Sequence, residues 1–257
     1  MNNRYLTNSD YIFENTGELS MKDEIFAYHD GLKWKIIPLD LLKRYPTIHD
    51  KYYDDTNDTT YPITISLCPF TLVCSVFMGL YVPSAYLINS TLILTNIDGD
   101  LLPIISGYIT NPDGDIHRAK RWECFIKTFR NAITDYPDCL FLKKKDGNMG
   151  QYIVDPKYYI DSGLLYMVPK SPDMVHPKTL VYVLQYKSLK TDSNKYTIII
   201  GKDASMEKPS GYNSKESGIL DYINNMHFKF SEKSVFMMPI LWFSWINFYP
   251  SAKIIQL

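Results

Sequence analysis

The chain has 257 residues, 46% of them hydrophobic and 21% charged, which is enough apolar material to bury a core without disulfide or metal staples. Its 27 Lys and Arg nearly cancel 28 Asp and Glu, leaving a net charge of −1. That balance excludes a global pull toward nucleic acid or anionic membrane, so any polyanion site has to be local.

Four cysteines, Cys68, Cys74, Cys124 and Cys139, are too few and too unevenly spaced for a disulfide framework. None forms a CxxC pair and no histidine follows at zinc-site spacing, so no metal is expected and no cofactor is assigned. The first twenty residues lack an apolar segment behind a basic one, so no signal peptide is expected. The expected setting is therefore the cytoplasm with reduced thiols, and the Asn57 and Asn89 glycosylation patterns are read as unused. The 21 Tyr, with abundant Ile, Asn and Lys, point to an AT-rich genome, that of a microbe or of a large DNA virus. A viral chain would sit in the host cytoplasm or the virion.

In chain order, KDEIFAYHDGLKWKIIPLDLL reads as a hairpin turning at His29 to Gly31, followed by a short helix from Pro38. Residues 59–97 contain no Asp, Glu, Lys or Arg, and a bilayer span needs about 20 predominantly apolar residues. Pro69, Gly79 and Pro83 interrupt the run, and β-branched and aromatic residues are frequent in it. It is therefore expected to divide into buried strands at 61–67, 72–78 and 91–96 rather than to cross a membrane. Residues 115–136 are expected to form one helix, with Trp122, Phe125, Ile126, Phe129 and Ile133 on one face and Lys120, Glu123 and Lys127 on the other. Residues 143–150 are a polar loop, 179–187 and 194–202 read as strands, 213–226 as a helix, and 234–250 as core strands. The expected fold class is α+β, a strand-rich mixed sheet or sheets with a few helices. One domain spans 1–257, with sub-halves at 20–145 and 150–257 related by a faint internal echo.

Four segments, WKIIPLDLL, YPITISLCPFTLVCSVFMG, LINSTLILTNIDG and LWFSWINFYPSAKI, occur in that order. Together they resemble the AYPL, V-x-x-CPLC, YNS-x-L and FWFAW-x-x-F-x-P elements of a mainly bacterial and archaeal family known only as a domain of unknown function. The resemblance covers Asp23 to Ile254. It implies a shared scaffold with an internal repeat and no defined reaction. The chain departs from the family at the second cysteine of CPLC, where Thr71 stands. It departs again at the histidine after AYPL, which falls near Tyr45 with His49 four residues on, and at the acidic and Trp positions now occupied by IDGDLLPIISG. It reads as a divergent member that keeps the scaffold and has lost parts of a site.

Candidate chemistry is sparse. Cys68 before a proline becomes a nucleophile if His49 or His117 approaches and lowers its pKa, against the plain reading of a buried thiol. The pairs Asp98/Asp100 and Asp113/Asp115 around Gly have chelating spacing but match hairpin turns better. His176 reads as a loop residue before a strand, no Walker pattern exists, and no serine lies in a nucleophile-elbow context. Trp242, Trp245 and Phe248 suggest an aromatic binding surface, although their setting in WFSWINFYP favours packing. Lys120, Arg121, Lys127 and Arg130, with Lys143 to Lys145, suggest an RNA contact. The expectation is a non-catalytic intracellular module that binds another protein, with a thiol or metal enzyme at Cys68 and an RNA-binding protein as competing readings.

Overall fold

The structure, a computed structural model, describes residues 5–159, 178–187, 194–200, 236–248 and 253–256. The expected helix at 213–226 and His176 lie outside the described residues. The chain divides into two compact units, Met1–Val154 and Asp155–Leu257.

In the first unit, β1 (Tyr5–Leu6) and β2 (Tyr11–Glu14) precede the hairpin of β3 (Glu24–His29) and β4 (Trp34–Pro38) and the short helix α1 (Leu39–Leu42). The apolar run then supplies β5 (Thr47–Asp54), β6 (Thr59–Leu67), β7 (Cys74–Met78), β8 (Val82–Ile88) and β9 (Thr91–Thr95). Short strands follow: β10 (Leu101–Pro103), β11 (Tyr108–Thr110), β12 (Ile116–Arg118), β13 (Arg121–Trp122) and β14 (Cys124–Thr128). Helix α2 (Phe129–Asp135) and β15 (Leu140–Lys144) complete the unit. The fold is strand-rich α+β, and the uncharged run is strand rather than membrane helix, as its prolines and β-branched residues dictate. Among the described residues no helix is long and apolar enough to cross a membrane.

Three five-stranded sheets result. One has the order β1-β5-β6-β7-β13, the second β14-β3-β4-β15-β2, and the third β12-β11-β10-β9-β8. The second is buried on both faces along its central strands β3 and β4. Ile25, Ala27 and Ile36 pack under Phe129 and Ala132 of α2, while Phe26, Tyr28 and Ile37 are wholly buried on the other side.

The single helix expected over 115–136 is not formed. Residues 116–128 run extended as β12, β13 and β14, one stretch from each of three sheets, and only 129–135 are helical. The stripe of Trp122, Phe125, Ile126 and Phe129 fits a 3.6-residue period, but pairing with neighbouring strands imposes a period of two. Cys124 and Ile126 lie opposite Tyr28 and Phe26, and Phe125 and Lys127 opposite Ala27 and Ile25, on the α2 side. The helix starts where Thr128 caps it, its hydroxyl accepting from the Asn131 N–H at 3.4 Å.

In the second unit, β16 (Leu180–Lys187), β17 (Asn194–Ile200), β18 (Phe236–Leu241) and β19 (Lys253–Gln256) form a sheet of order β18-β16-β17-β19. The expectation of core strands over 234–250 is half met. Phe236–Leu241 is strand, but α3 (Trp242–Phe248) is helical. Trp242, Phe243 and Trp245 are wholly buried, so these aromatics form core.

Candidate interaction face

Cys68 follows β6 and opens a tight hairpin loop, in which its N–H bonds Val73 O at 2.8 Å and Leu72 takes a left-handed φ of 58°. The thiol is wholly buried; its Sγ accepts from the Leu92 N–H at 3.3 Å and lies 3.9 Å from Ser90 O. Burial pushes the thiol above its ordinary value. His49, on β5, has Nε2 at 2.7 Å from Tyr81 O and its ring against Tyr5. His117 lies exposed on β12, the edge strand of the third sheet. Neither histidine is among the hydrogen-bond partners of Cys68, which ties the β6 end to the β8–β9 hairpin. Cys74 and Cys124 sit together, both buried, with burial and then the neighbouring thiol raising Cys74.

The basic candidates are mostly occupied. Lys127 bonds Asp135 at 2.5 Å, Lys143 reaches Glu14 at 3.4 Å, Lys144 clasps Asp146 at 2.5 Å, and Lys145 donates to Ser9 O at 2.9 Å. Lys120 lies over the Tyr61 and Trp122 rings at 5.4 and 5.3 Å, and the Arg121 guanidinium packs against Gly107. Arg130 is exposed on α2. Of the aromatic candidates, Trp242 and Trp245 are enclosed and Phe248 is half-buried, so these three do not present an open aromatic surface.

Sequence reasoning missed a buried polar cluster. Lys35 Nζ bonds Asp50 Oδ2 at 2.6 Å and Asp30 at 2.9 Å, and the wholly buried Tyr28 hydroxyl donates to the same Asp50 oxygen. Burial, then Asp50, raises the Tyr28 phenol well above its ordinary value. Burial works against the Asp30 carboxylate, yet Lys35 and the N–H groups of Lys33 and Leu32 hold its pKa below the usual range. The cluster stitches β3 and β4 to β5 of the neighbouring sheet. A separate cleft of about 890 Å³ is lined by Glu14, Glu18, Glu24, Asp40 and Lys43 among others. Within it, burial raises the Glu24 carboxyl while Lys43 works against that rise.

The third sheet differs from all of this. Its inner face, Leu92, Leu94, Leu102 and Ile109, is buried. Leu101 lies opposite Thr95 and Thr110, Thr110 opposite Ile116, and Tyr108 opposite Arg118, so the register puts all of these on the other face. Tyr86 is 70% exposed and Ile116 67%, with Ile88, Leu101 and Tyr108 also open to solvent. Ile97, on the β9–β10 turn, is 99% exposed. Six of the eleven exposed large hydrophobics among the described residues belong to this one sheet and its turns, a clustering that scattered surface residues do not show.

Two matching turns connect the strands of that sheet, β9 to β10 and β11 to β12. Asn96-Ile97-Asp98-Gly99-Asp100 and Asn111-Pro112-Asp113-Gly114-Asp115 repeat one pattern, Asn-x-Asp-Gly-Asp. In each, the Asn side-chain oxygen accepts from the N–H of the last Asp, at 2.9 and 2.7 Å, and the Asn amide returns to that Asp's carboxylate at 2.9 and 3.2 Å. Gly99 and Gly114 take φ of 85° and 91°, which other residues resist. The Asp pairs are turn residues, and among the described residues no group of three or more His, Cys, Asp or Glu is placed to hold a metal. The repeated turn was the sequence signal that could have located this sheet.

No protein-family model, no curated protein and no solved structure matches the chain, so the family resemblance stands on its quoted motifs alone.

Proposed function

We propose that the chain is a divergent member of the domain-of-unknown-function family and acts as a non-catalytic intracellular module that binds another protein through the outward face of β8–β12. One observation carries this reading: Tyr86, Ile88, Leu101, Tyr108 and Ile116 share a sheet whose other face already fills the core. Exposed aromatic and aliphatic side chains in one patch are the usual composition of a protein contact. The enclosed thiol of Cys68, held by Leu92, weighs against a nucleophile there. Lysines already engaged by Asp135, Glu14 and Asp146 weigh against an RNA surface built from Lys127 on β14 and Lys143 to Lys145 at the end of β15.

The test is affinity purification of the wild type, a Tyr86→Ser/Tyr108→Ser variant and Cys68→Ser, each checked for an unchanged fold by circular dichroism. A stoichiometric protein partner retained by the wild type and Cys68→Ser but lost by the face variant is expected. A partner set indifferent to the face variant would overturn the reading. So would substrate turnover that Cys68→Ser abolishes while the fold persists.

A further inference from the structure

The outer edge of the exposed sheet carries its own complement. Among the described residues, strand β12 pairs only with β11, in antiparallel register with Tyr108 opposite Arg118 and Thr110 opposite Ile116. The Asn111 N–H donates to Asp115 O at 3.0 Å, and the Ala119 N–H to Gly107 O at 2.9 Å. Antiparallel ladders alternate, so Asp115, His117 and Ala119 bond inward while the N–H and C=O of Ile116 and Arg118 point away from the sheet. All three side chains of β12 are exposed. An open edge of this kind is a template for another strand.

The sequence around that edge is polarised. Asp113 and Asp115 precede Ile116, and His117 and Arg118 follow it. An antiparallel strand of the same sequence therefore brings the acidic end of one copy to the basic end of the other.

We propose that this edge is a homodimer contact, in which β12 pairs antiparallel with β12 of a second copy about a two-fold axis at Ile116. This rests on the reading of β8–β12 as the binding element and names a second copy of the chain as an occupant of its edge. In this register the two Ile116 residues exchange their free N–H and C=O groups, forming a hydrogen-bonded pair with Cα atoms about 5.5 Å apart. Their side chains meet on the outward face and join the two apolar faces into one. On the other face, His117 of each copy stands opposite Asp115 of its mate, while Arg118, on the same face as Ile116, falls opposite Gly114 in the turn that carries Asp113. Edge pairing across a two-fold is isologous and closes at two chains, leaving the far edge at β8 outside the contact.

Three variants read the register. Ile116→Pro removes an N–H that has no partner among the described residues, together with the side chain that meets its mate, and its expected effect is a monomer in sedimentation at concentrations where the wild type is dimeric. Asp115→Lys and His117→Glu each replace a complementary pair with a mismatched one, and each is expected to raise the dissociation constant about tenfold or more. Mixing those two variants recreates one Lys–Glu and one His–Asp contact, so the mixture dimerises where each alone does not. For a direct reading, Ile116→Cys with added diamide, which takes up the two thiol protons and two electrons, is expected to give a disulfide-linked dimer. The pair distance lies within disulfide reach, and the native cysteines are buried.

A wild-type chain that stays monomeric up to about 100 µM overturns the homodimer, since even a weak contact registers there. A dimer indifferent to all three variants overturns it as well. In either case the loss of a different partner with Tyr86→Ser/Tyr108→Ser would still uphold the wider binding reading, so the two proposals fail separately.

Discussion

The second and third sheets of the first unit are both five-stranded and belong to the same unit, yet they spend their side chains differently. The β14-β3-β4-β15-β2 sheet is covered on one face by α2 and on the other by buried residues that include the Lys35–Asp50 pair. The β12-β11-β10-β9-β8 sheet covers one face and leaves the other apolar and open. Stability explains the large side chains of the former, apart from Ile12 on its edge strand β2. It explains only part of those in the latter, and the remainder are the side chains that the proposed partner would cover.

The comparison breaks most readily at Lys35. Lys35→Ala leaves the buried Asp50 and the half-buried Asp30 without their cation, and it should cost about 3–5 kcal/mol in urea unfolding. Next comes Ile65→Ala, which opens a cavity beside wholly buried neighbours; about 2–5 kcal/mol is expected from the same measurement. Thiol labelling followed by mass spectrometry should find Cys68 protected until denaturant is added, and fast labelling at neutral pH would refute the enclosure described above.

A smaller effect separates two carboxylates by pH. The Asp30 pKa is lowered in the folded protein, so its contribution is present above its ordinary value of 3.8 and is lost as pH falls through the lower folded value. Glu24 is raised, so its burial opposes folding at neutral pH and that opposition fades as pH falls through the raised value. Asp30→Asn should therefore lower the midpoint of unfolding at pH 7 and much less at the acid end. Glu24→Gln should raise it at pH 7 and flatten as acid is added. The smallest effect is expected on the open sheet, where Tyr86→Ser or Ile97→Ser should shift stability by no more than about 0.5 kcal/mol while changing association. A large loss there would mean that the face is core after all.

Much of the fold was legible in the sequence. Local chemistry alone places the β3–β4 hairpin at His29 to Gly31, the turn into α1 at Pro38, the strands on either side of Cys68 and the pair β16–β17. In each, β-branched runs end at prolines, glycines or Asp-Gly turns, and those signals act within a few residues. The Asn-x-Asp-Gly-Asp repeat belongs to the same class, since its hydrogen bonds close inside five residues.

Tertiary structure decided the rest. A helical stripe over 122–133 and a strand ladder place the same apolar residues on different faces, and only neighbours distant in sequence choose between them: Val76 for Trp122 and Phe26 for Ile126. The Lys35–Asp50–Tyr28 cluster was invisible for the same reason, because its members come from three strands that no local pattern aligns. Whether an aromatic is core or surface was also left open, since Trp245 and Tyr86 sit in equally apolar surroundings in the sequence. Their exposure is set by what packs over them: Trp245 is enclosed, whereas Tyr86 stays 70% exposed.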